Sequence, residues 1–256
     1  MRTIIPFTKP TVLNSEIKYI KKAINSEFGI SDNGFYSRRV ADYLKELFSS
    51  EDVLLTSSCT HALEIIAMLL NLEIGDEIIM PSFTFVSTAN AFVIHGGKPV
   101  FVDINPETMN IDESIIEKAI TKKTRAILVM HYAGVSCDMN KVLSITKKHN
   151  LILIEDAAQA LYSEYKRKLL GTFGDFSTFS FHSTKNFSCG EGGALIINNK
   201  KYVNRASIIK DKGTNRKDFL NKIISKYTWV DIGSSFVMSE LNAAHLYSQL
   251  INSNKI

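Results

Sequence analysis

The chain has 256 residues and a formal net charge of +4, with 45% hydrophobic and 22% charged residues. This composition is ordinary for a globular protein, and the length suits one large α/β domain with a sizeable core. The lysines are scattered in short pairs, without a dense basic run or interleaved aromatic residues, which argues against nucleic acid as a partner.

Apolar runs of strand length alternate with helical patterns along the chain. The predicted strands are Val53–Thr56, Glu77–Met80, Pro99–Asp103, Ala126–His131, Leu151–Glu155, Phe176–Phe181 and Ala194–Ile197. The predicted helices are Ser15–Ser26, Tyr36–Phe48, Thr60–Leu70, Thr84–His95, Asp112–Ile120, Asn140–His149, Tyr202–Lys212 and Met238–Ile251, with Asp112 as an N-cap. This alternation predicts an open α/β sheet, in which ligands bind beyond the carboxyl ends of the strands.

Neither a secretion signal nor a membrane span is expected. The N-terminal residues MRTIIPFTKP lack a long apolar region. Residues Ile78–Gly97 carry no charge, but they contain Pro81 and a ladder of Ser, Thr and Asn side chains that a span would have to desolvate. The widely spaced Cys59, Cys137 and Cys189 form no disulfide framework and no CxxC pair, so we expect a cytoplasmic protein without a metal site.

Three of the predicted strands are followed by residues that could bind a ligand. In "SSCTHALEI", Cys59 and Thr60 begin a helix whose free N–H groups suit a phosphate, although simple Ser/Thr capping also explains the pattern. In "PSFTFVSTANAF", Phe85 either stacks on a planar ring or packs in the core. In "EDAAQA", the pair Glu155-Asp156 either binds a cationic ring nitrogen or belongs to a structural ion pair.

One lysine, Lys185, lies in "SFHSTKNFSCGEGG", a glycine-rich loop after the strand Phe176–Phe181. It could bind phosphate as a point charge, form an imine with a carbonyl group, or face solvent. A P-loop is excluded because the glycines follow the lysine instead of preceding it. A phosphate cradle, a stacking aromatic ring, a carboxylate and an imine-forming lysine are together the groups that a pyridoxal phosphate enzyme requires.

These motifs resemble those of the DegT/DnrJ/EryC1/StrS sugar-nucleotide aminotransferases, which have the fold-type I architecture of pyridoxal phosphate enzymes. The resemblance runs from residue 6 to about residue 250 and is carried by "SSCTHALEI", "GDEIIMPSFTFVSTANAF", "PVFVDINPETMNID", "HYAG", "EDAAQA", "FSFHSTKN", "GEGGALIIN" and "YTWVDIGSSFVMSE". It implies a mostly parallel, seven-stranded sheet with helices on both faces. "SCTHALE", "HYAG" and "KGTNR…YTWVDIGSS" look closest to the subgroup that makes dTDP-4-amino-4,6-dideoxygalactose.

The resemblance implies a role for each matching position. Lys185 matches the lysine that forms an imine with pyridoxal 5′-phosphate and moves a proton, and Asp156 matches the carboxylate that pairs with the pyridinium nitrogen. Gln159 matches the residue near the ring hydroxyl, and Phe85 matches the stacking aromatic residue. The phosphate-binding positions are Cys59, Thr60, Ser180 and, from the second subunit of a homodimer, Ser235.

The implied activity is transfer of an amino group from L-glutamate to a keto sugar nucleotide, dTDP-4-keto-6-deoxyglucose, for cell-surface polysaccharides such as the O-antigen of lipopolysaccharide. Lys185 favours transamination, because the dehydratases of the family carry histidine at this position. Residues 1–235 are expected to form the pyridoxal phosphate domain with its N-terminal arm. Residues 236–256 are expected to begin the helix that leads to an absent C-terminal small domain.

Two alternatives stay open. The chain could be a non-catalytic family member that binds the cofactor or regulates a partner, which the absence of the small domain favours. It could also be a nucleotide-binding module of the Rossmann type, but no G-x-G-x-x-G follows the first strand.

Overall fold

The computed structural model describes residues 8–27 and 29–256, so the first seven residues of the predicted N-terminal arm lie outside it. The α-helices are α1 (Ser15–Ile24), α2 (Phe35–Phe48), α3 (Cys59–Leu69), α4 (Val86–Val93), α5 (Ile116–Ala119), α6 (Met139–His149), α7 (Val203–Lys210), α8 (Arg216–Leu220) and α9 (Glu240–Leu250). The strands are β1 (Asp52–Thr56), β2 (Glu77–Pro81), β3 (Lys98–Val102), β4 (Thr124–Met130), β5 (Ile152–Asp156), β6 (Glu164–Tyr165), β7 (Lys168–Leu169), β8 (Phe176–Ser180) and β9 (Gly193–Ile197).

Seven strands form one sheet in the order β1-β9-β8-β5-β4-β2-β3. Strand β9 runs antiparallel to both of its neighbours, while β8, β5, β4, β2 and β3 pair in parallel. The predicted mostly parallel, seven-stranded sheet is therefore confirmed. The carboxyl ends of the parallel strands meet at one edge, where helices and loops leave the sheet.

The sheet separates two hydrophobic cores, which gives the predicted αβα layers. Strand β4 illustrates why its sequence is continuously apolar: Ile127 and Val129 face one core, and Ala126 and Leu128 face the other. Helices α1, α2, α6 and α9 cover the first face, and α3, α4 and α7 cover the second. No helix in the described ranges is long and apolar enough to cross a membrane.

All seven predicted strands are present, with bounds that differ by at most two residues. The helix predicted over Asp112–Ile120 is wrong, because only the single turn α5 forms there. The Asp112 carboxylate instead accepts hydrogen bonds from the backbone N–H and the hydroxyl of Ser114 at 2.9 and 2.7 Å. Such local side-chain bonds compete with helical ones, so Asp112 forms a turn and not an N-cap.

Candidate active site

A cavity of about 380 Å³ opens at the carboxyl edge of the sheet. It lies in the volume range of small-molecule sites. Seven predicted site residues line it together: Cys59, Thr60, Phe85, Asp156, Gln159, Ser180 and Lys185. An open groove of about 660 Å³ at the amino ends of β5 and β8 contains none of them.

The eighth predicted residue, Ser235, does not line this cavity. It lies in the segment after α8 and forms an isolated bridge with Asp211. Its contact with a second subunit therefore stays a prediction.

The first turn of α3 forms one wall of the cavity. Ser58 caps this helix, since its hydroxyl accepts a hydrogen bond from the backbone N–H of His61 at 3.1 Å. Cys59 and Thr60 follow in the first turn, whose N–H groups have no partner inside the helix. Gly193 of β9 packs so closely below this turn that an added Cβ would lie 2.4 Å from the backbone nitrogen of Cys59. The geometry suits an anion such as a phosphate.

Asp156 ends β5 with only 3% of its surface exposed. One carboxylate oxygen accepts a hydrogen bond from the Thr88 hydroxyl at 2.8 Å, and the other accepts one from the backbone N–H of Ala158 at 3.2 Å. Burial raises the pKa of the Asp156 carboxyl, although the Thr88 and Ala158 hydrogen bonds and the charges of Lys185 and His131 oppose the rise. A cationic group of a ligand beside this carboxylate would be strongly favoured.

The neighbouring acid, Glu155, has a structural role. It is completely buried and accepts a hydrogen bond from the His131 ring at 3.0 Å. Three backbone N–H groups of the 171–174 loop donate to the same carboxylate at 2.7 to 2.8 Å. Of the two roles that the residues alone left open for the Glu155-Asp156 pair, Glu155 therefore has the structural one, and Asp156 faces the cavity.

Lys185 lies on a loop that backbone hydrogen bonds hold closed. The N–H of Lys185 donates to the carbonyl of His182 at 2.9 Å, and the N–H of Ser183 donates to the carbonyl of Gly190 at 2.9 Å. Gly190 has φ +88°, which favours glycine and turns the chain back toward β9. The side chain of Lys185 is half-buried, and no carboxylate of the described residues lies within 4 Å of its amine. The amine therefore remains available to a ligand.

Gln159 and Phe85 lie on different walls. The Gln159 side-chain oxygen accepts a hydrogen bond from the backbone N–H of Ala133 at 2.6 Å, which leaves the amide hydrogens for a ligand. Phe85 is 68% exposed, so the alternative that it packs in the core is wrong. The Cys59 thiol has a raised pKa because of its burial and the nearby Asp156 carboxylate, so it is a protonated, uncharged part of the wall.

Several lining residues escaped the sequence analysis. Thr88, His182 and Glu191 all contact the cavity, and the His182 ring lies 3.4 Å from the Glu191 carboxylate. The polar ladder within Ile78–Gly97 was the signal for Thr88, because regularly placed hydroxyl groups in an apolar helix need a buried partner. His182 and Glu191 meet only through the closed loop, which the sequence does not reveal.

The chemistry of these groups fits pyridoxal phosphate. The cofactor has an aldehyde, a basic ring nitrogen and a phosphate. The cavity offers the amine of Lys185, the carboxylate of Asp156, and the hydroxyl and backbone donors around Thr60. The fold is that of the fold-type I, pyridoxal phosphate-dependent enzymes.

The chain belongs to the DegT/DnrJ/EryC1/StrS aminotransferase family, whose model matches residues 10–255. The resemblance stated from the motifs is thereby confirmed at the level of the family. Pyridoxal 5′-phosphate is the cofactor of this family.

Three relatives illustrate the similarity. GDP-perosamine synthase from Escherichia coli O157:H7 is 35% identical over 96% of this chain and 65% of its own length. Helicobacter pylori PseC, an aminotransferase involved in the biosynthesis of pseudaminic acid, is 31% identical with a TM-score of 0.88 over 98% of this chain and 66% of its own. NtdA from Bacillus subtilis, with the bound cofactor PMP, is 31% identical with a TM-score of 0.84 over 97% of this chain and 57% of its own. This chain thus spans less than two thirds of the length of each.

Proposed function

We propose that this chain carries the active site of a transaminase that moves an amino group from L-glutamate to a keto sugar nucleotide. The observation that supports this function is the meeting of the Lys185 amine, the Asp156 carboxylate and the first turn of α3 in one cavity. A transaminase needs these groups for the aldehyde, the ring nitrogen and the phosphate of its cofactor. Membership of a sugar aminotransferase family supports the same function.

Each residue has one task in binding the cofactor. Lys185 Nζ would hold the aldehyde carbon through a C=N bond, formed with loss of water, and the Asp156 carboxylate would pair with the ring nitrogen. Gln159 would contact the ring hydroxyl, and Phe85 would contact the ring. Cys59, Thr60, Ser180 and the Ser235 of a second subunit would hold the phosphate.

Bound pyridoxal phosphate supplies an electron-withdrawing ring that stabilises negative charge on the carbon next to the transferred nitrogen. Lys185 Nζ would take a proton from that carbon as a general base and would then donate it as a general acid. The Asp156 carboxylate would keep the ring nitrogen protonated, because an ionised carboxylate favours a neighbouring cation. Over the whole cycle, L-glutamate loses its amino group and becomes 2-oxoglutarate, while the keto sugar gains that group.

The substrate that the motifs favour is dTDP-4-keto-6-deoxyglucose, which would give dTDP-4-amino-4,6-dideoxygalactose for a cell-surface polysaccharide. The relatives named above support a sugar nucleotide as the acceptor. A homodimer in the cytoplasm is the assembly that this function implies. The exposed side chains of Ile223, Trp229 and Ile232, which are 70%, 79% and 54% exposed, support a contact between subunits near Ser235.

Addition of L-glutamate to the purified, cofactor-loaded protein tests the first half of this reaction. We expect the visible absorption of the bound cofactor to disappear while one equivalent of 2-oxoglutarate forms. Lys185→Ala protein, which should lack this absorption from the start, is the matched control for the second readout and should form no 2-oxoglutarate. A silent spectrum from wild-type protein that has bound the cofactor would overturn the transaminase and support a non-catalytic, cofactor-binding protein.

A panel of sugar nucleotides tests the second half. Protein treated with L-glutamate is offered 3-keto and 4-keto sugars attached to dTDP, UDP or GDP, and the products are identified by mass. We expect amination of dTDP-4-keto-6-deoxyglucose. The ¹H NMR spectrum of the product should show the galacto configuration at C4. If only another sugar is aminated, the proposed transaminase activity is supported and the proposed substrate is wrong.

A further inference from the structure

A row of hydroxyl groups leads from α4 to the carboxylate of Asp156. Thr88 is 1% exposed, and its hydroxyl oxygen lies 2.8 Å from Asp156 Oδ2 and 2.9 Å from the hydroxyl oxygen of Thr84. The Thr84 hydroxyl in turn lies 3.2 Å from the sulfur of Met130. The backbone N–H of Ala158 donates to the other carboxylate oxygen at 3.2 Å. Both oxygens of Asp156 are therefore held by a donor from the protein.

The direction of this row depends on the charge of Asp156. An ionised carboxylate only accepts hydrogen bonds, so the proton of Thr88 then points to Asp156 and the proton of Thr84 points to Thr88. If Asp156 were protonated and donated to Thr88, both hydroxyl protons would turn round and the row would end at Met130. A thioether sulfur is a weak acceptor, so this second arrangement is the less favourable one. Protonation of Oδ1 instead would leave the row unchanged but would place the proton on the oxygen to which the N–H of Ala158 donates. The row and the Ala158 N–H together therefore favour the ionised carboxylate.

Three other titratable groups face Asp156, but none of them supplies the hydrogen bond that Thr88 donates to its carboxylate. They are Cys59 on α3, His131 after β4 and Lys185 on the loop after β8. Burial raises the pKa of the Asp156 carboxyl, and the hydrogen bond from Thr88 is the largest of the contributions that lower it. Loss of the Thr88 hydroxyl should therefore raise this pKa further.

We propose that Thr88 is a positioning residue, whose hydroxyl keeps Asp156 ionised and fixes the direction in which its carboxylate meets the ring nitrogen of pyridoxal phosphate. This inference rests on the proposed function, because it gives Asp156 a partner in the cofactor. Thr88 acts through Asp156, and Thr84 supports it by donating to the Thr88 oxygen, since hydrogen bonds in a chain strengthen one another.

The test compares Thr88→Val, which keeps the branched shape, with Thr88→Ser, which keeps the hydroxyl. Two quantities are measured: the dissociation constant of pyridoxal phosphate, and the pKa of the Asp156 carboxyl from its ¹³C shift in cofactor-free protein. We expect Thr88→Val to weaken cofactor binding about tenfold, as for loss of one hydrogen bond to a charged group, and to raise the Asp156 pKa. Thr88→Ser should restore both values.

A second buried threonine provides the matched control. Thr146 on α6 is 6% exposed, and its hydroxyl donates to the carbonyl of Leu143 at 3.1 Å, far from the cavity. Thr146→Val should change the stability of the protein but neither of the two measured quantities. If Thr88→Val does not fold, Thr84→Val replaces it, with smaller changes in the same direction.

Asp156→Asn separates this inference from the proposed function. If Asp156→Asn weakens cofactor binding and Thr88→Val changes neither quantity, the positioning role is overturned while the proposed function stands. If Asp156→Asn leaves cofactor binding unchanged, the proposed role of Asp156 is wrong and the inference about Thr88 falls with it.

Discussion

The carboxylate of Glu240, in the first turn of α9, accepts a hydrogen bond at 3.0 Å from the backbone N–H of Ser37, which lies 203 residues earlier in the first turn of α2. The N–H of Tyr36 donates to the same carboxylate. Because Glu240 is 1% exposed, these bonds satisfy donors that the start of a helix would otherwise leave unpaired. One side chain thus joins the two helices that cover one face of the sheet.

Replacement of Glu240 by glutamine should therefore destabilise the protein without a change in side-chain size. Glutamine keeps one acceptor oxygen but presents an NH₂ group to a second donor, and it also loses the favourable charge at the helix start. We expect the free energy of unfolding to fall by about 1–3 kcal/mol, measured by urea denaturation. Glu107→Gln removes the same charge at an exposed position and should have little effect. Equal stabilities of the two variants would contradict the capping role.

Lys185→Ala should abolish the visible absorption of the cofactor-loaded protein, because the proposed covalent bond needs the amine. Lys18, which is exposed on α1, provides the control, and Lys18→Ala should retain the absorption. Treatment with borohydride followed by peptide mass analysis should find the cofactor on residue 185 alone. An adduct that persists in Lys185→Ala would identify a different lysine as the attachment point.

Gly193→Ala should displace the first turn of α3, which forms the proposed phosphate site. The new Cβ would lie 2.4 Å from the backbone nitrogen of Cys59, so the first turn of α3 would have to move. We expect cofactor binding to weaken at least tenfold, with a loss of stability of about 1–3 kcal/mol from overpacking.

Gly97→Ala is the matched control for this clash. Its Cβ would lie 2.9 Å from a side-chain carbon of Leu72, away from the cavity. It should reduce the thermal stability and leave the cofactor dissociation constant unchanged. If both variants weaken binding equally, the effect comes from general destabilisation and not from the first turn of α3.

The sequence predicted the sheet strands and the cavity for one physical reason. Strands buried on both faces need continuous apolar runs, as in β2 and β4, and such runs are visible in the sequence. Residues directly after these runs, such as Asp156 and Lys185, must then meet at the carboxyl edge of the sheet. The resemblance assigned the ring-nitrogen role to Asp156, but the residues alone did not separate Asp156 from Glu155, because that depends on which face each carboxylate occupies.

Contacts between distant segments had no such signal. The antiparallel direction of β9, the cap that Glu240 provides for α2, and the pairing of His182 with Glu191 all depend on the closed fold. The local error at Asp112 has a different cause. A short polar side chain can either cap a helix or form a turn, and the residues after it decide which.

The ion pairs of Arg216 with two carboxylates should make the stability of the protein depend on pH in the acid range. The Arg216 guanidinium lies 2.9 Å from the Asp32 carboxylate and 3.1 Å from the Asp211 carboxylate, and it joins the loop before α2 to the end of α7. Burial alone would raise the pKa of the Asp211 carboxyl, but hydrogen bonds from Lys212 and Arg216 together hold it below its usual 3.8. A lowered pKa in the folded state stabilises the protein above the unfolded pKa, and this stabilisation is lost as the pH falls through the folded value.

Arg216→Gln should therefore reduce the free energy of unfolding by about 1–3 kcal/mol at pH 6, between the values for exposed and fully buried pairs. The difference from wild type should shrink as the pH falls below about 4, the usual value of an unfolded Asp carboxyl, because the unfolded chain then takes up a proton before Asp211 does in folded wild type. Urea denaturation from pH 3 to pH 7 measures this difference directly. Arg125→Gln, which breaks an exposed pair with Asp76, should cost less than about 1 kcal/mol at every pH. A difference between Arg216→Gln and wild type that stays constant down to pH 3 would show that Arg216 acts through packing and not through the charge of Asp211.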